Sequence, residues 1–441
     1  MAGAAIRSLN LARQLSGTFD VTFAVPYEPD VQTGLRTIVI GTEDWMSLTR
    51  LALQHDAVVA QWLPVLTMVK LARSRTVAIY DLYDPVTFEN LALGAEGLSR
   101  RMALNIRATD LAQEIALLTG DAFVCASETQ RDLWLGALGT LGRLGRRTYL
   151  QDPSLQTVVA VVPFGIEDGR PPRPSGALHA LAGDAPPGNK IVLWGGGIWD
   201  WLDPITVIDA VAELSTRRDD VRLVFLGVKH PNPDIPAMDA SQRAIEHADN
   251  LGLRNQTVFF NFDWVSYEGR GAYFAGADVG VSAHHNTIEA RFAFRTRLVD
   301  YLWAGIPTVA TCGDAMADAI ALAGAGVTVA YGDVDGWVRA LDTTLSTGRD
   351  DRFEAAVDQL RSKLSWSRAV EPLVQLVGES AKSPTARSRD RRVEQYILTR
   401  LRLAAMNRGG LGLVGHLASE SRRAIASGRT PISRLKSGRG T

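Results

Sequence analysis

The chain has 441 residues, with 47 Lys and Arg against 48 Asp and Glu, 46% hydrophobic and 22% charged residues. That length exceeds one ordinary core and predicts two domains with additions, and the composition argues against both a disordered chain and a membrane-spanning fold. The net charge of −1 hides an asymmetry, because residues 382–441 carry 14 Lys and Arg against three acids, a local +11 that leaves −12 on the first 381.

The opening MAGAAIRSLNLARQL is too short and too interrupted by Arg7, Asn10 and Arg13 to be a signal peptide. It reads as an amphipathic helix with Ala5, Ile6, Leu9 and Ala12 on one face and Arg7 and Gln14 away from it. A doubly wound domain normally opens with a buried strand before such a turn and helix. Here the chain opens in the turn, so the N-terminal domain is expected to lack its first strand: either that strand is supplied elsewhere or, the favoured expectation, the true start lies upstream of Met1. Short apolar runs at 21–25, 37–40, 57–61, 77–80, 122–125 and 157–162 alternate with helical segments, the pattern of a parallel sheet covered on both faces. Segment 165–190 is rich in Pro and Gly and predicts a linker between domains at 1–164 and 191–365. A second strand series follows at 191–194, 223–226, 258–260, 279–282, 308–311 and 326–329, with helices at 204–215, 242–251, 269–276 and 297–304. Residues 366–381 are expected to form a helix packing back on the N-terminal domain, and 382–441 a basic tail.

That tail reads either as a solvated arm or as an attraction to anionic lipid headgroups, with YILTRLRLAAM at 396–406 able to form a basic amphipathic helix. Nucleic acid is not an expected partner, since no other basic face or reading motif accompanies it. No run reaches the roughly 18 apolar residues of a transmembrane helix, so the cytoplasm is the expected compartment, with peripheral contact at the inner face of the cell membrane through the tail. Cys125 and Cys312 match no metal or redox spacing and read as buried thiols.

Ligands of open α/β sheets bind beyond the carboxyl ends of the strands. After the strand ending at Trp194 comes GGGIWDWLDP, whose Gly195, Gly196 and Gly197 permit close approach of backbone N–H groups to a phosphate or sugar. Trp199 and Trp201 offer either a stacking face or loop packing. After Ser282, the passage to Thr311 gathers Glu289, Arg291, Arg295, Arg297 and Asp300. A helix starting near Arg295 or Thr296 offers an anion site at its first turn, and Asp300 lies one turn further in, suited to vicinal hydroxyls. His284 and His285 lack further metal-ligand spacing, so no metal is expected and hydrogen bonding or packing is the reading. In the first half, Asp81 and Asp84 follow a strand in DLYDP, a candidate acceptor contact or a plain turn.

The run at 297–307, RLVDYLWAGIP, resembles the KLxEYMAxGxPVV segment of the family 4 retaining glycosyltransferases, which have the GT-B fold. VCASE at 124–128, VPFGI at 162–166 and ADVGVS at 277–282 resemble other landmarks of that family in order, and a bacterial subgroup shares GGGIWxWLDP and RTRxxDYLWAG. The resemblance implies an α/β protein of two Rossmann-like domains facing across a cleft. It implies transfer of a sugar from a nucleotide diphosphate donor, with retention and no required metal or other cofactor, to a cell-envelope glycan or lipid-linked acceptor. Asp300 matches the second family glutamate, which holds the donor ribose. Counting back eight positions for the first gives Phe292, so Glu289 is assigned near the donor sugar, with Asp84 as the second catalytic candidate. The family's Arg and Lys after the first strand of the second half are missing from GGGIWDWLDP, so Arg295, Arg297 and Lys229 are the expected cations for the diphosphate, beside Gly196 and Gly197. Two alternatives remain open at this point: a catalytically silent nucleotide-sugar-binding or scaffold protein, and a nucleotide-sugar 2-epimerase.

Overall fold

The computed structural model describes residues 3–92, 99–171, 176–186, 188–228, 238–379, 395–400, 402, 403 and 406. In the first half the strands are β1 (Thr22–Val25), β2 (Arg36–Val39), β3 (Ala57–Ala60), β4 (Val77–Asp81), β5 (Ala122–Cys125) and β6 (Val159–Val161). In the second half they are β7 (Lys190–Gly197), β8 (Val221–Gly227), β9 (Val258–Phe260), β10 (Val279–Ser282), β11 (Thr308–Thr311) and β12 (Gly326–Val329). β1 and β2 pair by themselves, β3-β4-β5-β6 form a second sheet, and the second half forms one sheet of order β12-β11-β10-β7-β8-β9. Every ladder between these strands is parallel.

These runs become strands because they are short, apolar and bounded by helix caps or turns. β4, β5, β10 and β11 are buried nearly throughout, as strands covered on both faces must be. Helix starts are marked chemically: Asp203 caps Pro204–Ser215, which has proline in its first turn, and Asp314 caps Ala315–Ala323. Helix Thr296–Ala304 stops at Gly305, whose φ of 63° is the left-handed conformation that glycine adopts without penalty.

In the second-half sheet the order reverses at β7, which has β8 on one side and β10 on the other. That is the switch point at which an open α/β sheet presents a crevice. Tyr301 locks it from below. Its ring lies so close to Gly280 that an added Cβ would meet it at 2.6 Å. Its hydroxyl sits 3.0 Å from Leu193 O and 2.8 Å from Val281 O and accepts from Gly195 N at 2.8 Å.

One apolar cluster runs from the first-half strands to the second, joining Ile79, Val124 and Val162 to Leu193, Leu298 and Trp366. Another lies on the opposite face of the second sheet around Trp194, Phe225, Ile208 and Trp337. The short helix Trp366–Ala369 packs on Gly3–Leu15, and Glu371–Glu379 packs on β6. Trp366 tilts against Phe164 with centroids 5.1 Å apart.

The described residues divide into two compact units, 3–92 with 119–379, and 99–118 with those beyond 394. In the second unit, 395–400 are helical and the Thr399 hydroxyl donates to Gln395 O at 2.8 Å. Most of the basic tail lies outside the described residues, and among the described residues no helix is long and apolar enough to cross a membrane.

Two side chains depart from expectation. Arg7 is fully buried, because its guanidinium meets Asp81 with two bonds, Nε to Oδ2 at 2.6 Å and Nη2 to Oδ1 at 3.0 Å. Cys312 is half-buried while Cys125 is fully enclosed, and burial pushes the Cys125 thiol up to about 12.

Candidate functional site

The glycine loop after β7 is held from both sides. Gly196 is exposed with φ of 108°, a conformation that other residues rarely adopt. Gly197 O accepts from Arg297 Nη2 at 2.7 Å, and the Arg297 guanidinium lies 4.9 Å from the Trp194 ring centre. Burial lowers the Arg297 pKa to about 10, which leaves it charged at neutral pH. Trp199 and Trp201 stack on one another at 5.3 Å and 4°, so each spends one face on the other. The two acids of this loop are also engaged: Asp200 Oδ1 accepts from Ala240 N at 2.9 Å, and Asp203 Oδ1 from Thr206 N at 3.1 Å. Lys229 lies outside the described residues.

After β10 the chain is pinned to that loop by a bridge between Leu202 and His284 and by Asp203 N donating to Ala283 O at 3.0 Å. Thr287 then caps the short helix Ile288–Phe292, which carries Glu289 inward, and Arg295 stands at the N-cap position of Thr296–Ala304 without a side-chain cap bond. Arg295 Nη2 donates to Glu289 Oε2 at 2.7 Å, with Glu289 1% and Arg295 8% exposed. Asp300 Oδ1 accepts from Arg270 Nε at 3.1 Å. Arg270 in turn lies 3.6 Å from the Tyr267 ring centre and 4.4 Å from that of Trp303, and donates to Glu167 Oε1 at 3.1 Å. Burial pushes the Asp300 carboxyl up, and Arg270 works against that.

Buried polar atoms are nearly always paired, so an accumulation of unpaired ones marks a place for water or a ligand. Here Glu289 Oε1, Arg295 Nε, Arg297 Nη1, His284 Nε2 and Asp314 Oδ2 are all buried without a hydrogen-bond partner among the described residues. His284 and Asp314 approach to 3.8 Å. Burial lowers His284 to about 4 and raises Asp314 to about 6, so at neutral pH the imidazole is uncharged. Among the described residues, no three His, Cys, Asp or Glu side chains are grouped to hold a metal ion.

The first half contributes the ends of β3, β4 and β5. Asp81, read from sequence as a candidate acceptor contact, is occupied by Arg7, which also donates to Val162 O at 2.8 Å. Asp84 hydrogen-bonds to Glu89 and to Gln61, and burial raises it. Burial, and then the charge of Asp84, push Glu89 up to about 9, and Glu89 also interacts with Glu289 and Arg295 of the second half. Two contacts fix this approach. Phe88 stacks on Phe292 at 5.1 Å and 13°. Gln130 Nε2 lies 2.7 Å from Tyr83 O and 2.8 Å from Phe292 O, while its Oε1 accepts from Ala126 N at 2.7 Å.

Thus Gly197 ends β7 and Asp84 follows β4, whereas Glu289 lies on helix Ile288–Phe292, Arg297 and Asp300 on Thr296–Ala304 and Arg295 at its N-cap, and each of the two arginines already spends one N–H on the protein itself. Glu89, Arg270 and Gln130 were not foreseen. The only sequence signal for Glu89 was an acid five residues beyond Asp84 after a proline, and Arg270 and Gln130 carried none.

Residues 189–347 match the family described as Glycosyl transferases group 1. No functionally curated protein matches the chain in sequence. Among solved structures, Anabaena Alr3699/HepE in complex with UDP is similar at 14% identity and TM-score 0.58, over 86% of this chain and 96% of that one. A glycosyltransferase from Rickettsia africae ESF-5 is similar at 13% and 0.60, over 86% and 96%. WaaG, a glycosyltransferase involved in lipopolysaccharide biosynthesis, is similar at 15% and 0.56, over 85% and 95%. These likenesses, with the parallel sheets described above, establish the GT-B fold.

Proposed function

We propose that this protein is a glycosyltransferase that moves a sugar from a nucleotide diphosphate donor to a hydroxyl of a cell-envelope glycan or lipid-linked acceptor, retaining configuration and requiring no metal. The observation that carries this reading is the set of unpaired buried atoms at one crevice: Glu289 Oε1, Arg295 Nε and Arg297 Nη1. Arg295 is the N-cap residue of Thr296–Ala304 and Arg297 lies in its first turn, where the helix N–H groups and dipole favour an anion.

In this reading Arg295, Arg297 and the backbone of Gly196 and Gly197 hold the diphosphate, with Lys229 as a further cation. Asp300 Oδ2 accepts from the ribose while Arg270 fixes Oδ1. Glu289 meets the donor sugar, and Asp84 serves the acceptor side. As the acceptor oxygen bonds to the sugar carbon, the sugar–phosphate bond breaks and the hydroxyl proton leaves on the diphosphate. Fixed charges aimed at that leaving group supply the main stabilisation. The basic tail supports work at the cytoplasmic face of an anionic membrane.

The solved HepE complexes with UDP and with UDP-glucose make uridine donors the first to try. A panel of nucleotide sugars is screened for a rise in melting temperature, since a ligand bound only to the folded state stabilises it. The stabilising donor is then followed for nucleotide release, and the product's anomeric configuration is read by proton NMR. Stabilisation by a donor that is consumed, equally well in a chelator, supports the reading. Binding without turnover on any acceptor replaces it with a silent binding protein, and no stabilisation by any donor overturns it.

A further inference from the structure

Arg270 stands between Asp300 and the segment that joins the two halves. Its Nε donates to Asp300 Oδ1 at 3.1 Å, its Nη1 to Tyr267 O at 2.6 Å and its Nη2 to Glu167 Oε1 at 3.1 Å. The Tyr267 and Trp303 ring centres lie 3.6 and 4.4 Å from the guanidinium, and 10% of the side chain is exposed. Trp303 lies three residues beyond Asp300 on helix Thr296–Ala304, so ring and carboxylate share one face. A planar guanidinium bonded through three nitrogens is fixed in rotation as well as in place. Among the described residues the Asp300 carboxylate is bonded by Arg270 through Oδ1, and 29% of its side chain stays exposed.

Glu167 is itself anchored. The Tyr267 hydroxyl donates to its Oε1. Just before it, Ile166 N donates to Leu364 O at 2.6 Å and Ile166 O accepts from Trp366 N at 3.2 Å. The Trp366 ring covers Gly165 so closely that no side chain fits there. The backbone carrying Glu167 is thereby tied to 364–366, which gives Arg270 a fixed point outside its own helix.

We propose that Glu167 is a positioning residue for nucleotide binding: from the linker it holds Arg270 in the orientation that engages Asp300 Oδ1 and leaves Oδ2 to the ribose hydroxyls. The inference rests on the donor-site reading of Asp300 and deepens it. Glu167 acts through geometry rather than charge. The Asp300 carboxyl is pushed up by burial and, more weakly, by the charge of Glu167, so removing that charge does not by itself weaken Asp300 as an acceptor. What Glu167 contributes is an acceptor oxygen for Nη2. Without it, a nearly buried N–H loses its partner, and the guanidinium gains by turning away from Asp300 to find another.

The test measures the affinity of the full chain for UDP and for 2′,3′-dideoxy-UDP by calorimetry. Wild type should bind UDP about tenfold more tightly. Glu167→Ala should weaken UDP binding about fivefold and leave dideoxy-UDP within about twofold. Glu167→Met, which keeps the bulk but offers no acceptor oxygen, should repeat that loss if the smaller residue fails to fold. Glu167→Gln keeps an acceptor oxygen without the charge and should hold UDP within about twofold of wild type. Glu167→Ala added to Arg270→Ala should lower UDP affinity no further, because both act through one contact. Unchanged UDP affinity in a folded Glu167→Ala or Glu167→Met, an equal loss for the two nucleotides, or additive losses in the double variant overturns the proposal. If wild type does not distinguish the two nucleotides, the ribose role of Asp300 fails instead. Glu167 is then judged by the Arg270 Nε–H signal in nitrogen-15 NMR of the free protein. Clearly faster exchange with solvent in Glu167→Ala or Glu167→Met supports the hold on Arg270, and an unchanged rate overturns it.

Discussion

Arg295 donates to Glu289 through Nη2 at 2.7 Å, and each partner keeps a second polar atom buried and unpaired. The pair is therefore not saturated by the hydrogen bonds of the described residues. The arginine's charge faces the glutamate's across that bond, while its Nε makes none among the described residues.

Arg295→Ala should act in two ways. It strands a buried carboxylate, which costs about 3–5 kcal/mol of stability, and Glu289→Gln in the same chain should recover a large part of that in urea unfolding. It should also weaken UDP binding at least tenfold, or about 1.4 kcal/mol, by calorimetry. A stable variant with unchanged affinity would show that Arg295 serves neither purpose.

Arg270→Ala releases Asp300 Oδ1 and removes the cation that opposes burial, so the carboxyl's pKa should rise further. UDP affinity should fall about tenfold, whereas 2′,3′-dideoxy-UDP should bind wild type and variant alike. Arg270→Lys keeps the charge but not the planar contact with Tyr267 and Trp303, and should restore only part of the affinity.

Glu89 carries a folded-state pKa raised to about 9, above the value near 4.5 of an unfolded glutamate. Between those values the folded protein binds more protons than the unfolded chain, so this group makes stability fall as pH rises from about 4.5 through 9. Glu89→Gln abolishes that slope. Its melting temperature relative to wild type should climb across this window and level off above it, by a few degrees in a scan at matched ionic strength. A difference that does not vary with pH would mean Glu89 is charged in the folded protein.

Gln130→Leu should cost about 1–3 kcal/mol, because it leaves the buried Ala126 N–H and the carbonyls of Tyr83 and Phe292 without their shared partner. Gln130→Glu should cost more, since a carboxylate would point at two carbonyl oxygens. Urea unfolding measures both.

Much of the architecture could be read along the chain. Strands at 258–260, 279–282, 308–311 and 326–329 coincide with β9 to β12, and the helix expected from Arg295 or Thr296 starts at Thr296. Such elements are local: a short apolar run, a cap and a glycine stop suffice to specify each one. The crevice was legible for the same reason, since strand ends follow from strands.

The partners of its charges were not. Helical periodicity set Arg7 away from the apolar face of its helix, yet it is fully buried because Asp81, 74 positions away, meets it there. Asp300 was expected to wait for a ribose and is held by Arg270, while Arg295 and Arg297 were expected to face a diphosphate and already bond Glu289 and Gly197. Sequence by itself determined where backbone order begins and ends, because those energies are set by neighbours a few residues apart. Only the tertiary structure decided which ionisable groups are buried together, because burial and pairing depend on distances between segments that no local pattern encodes.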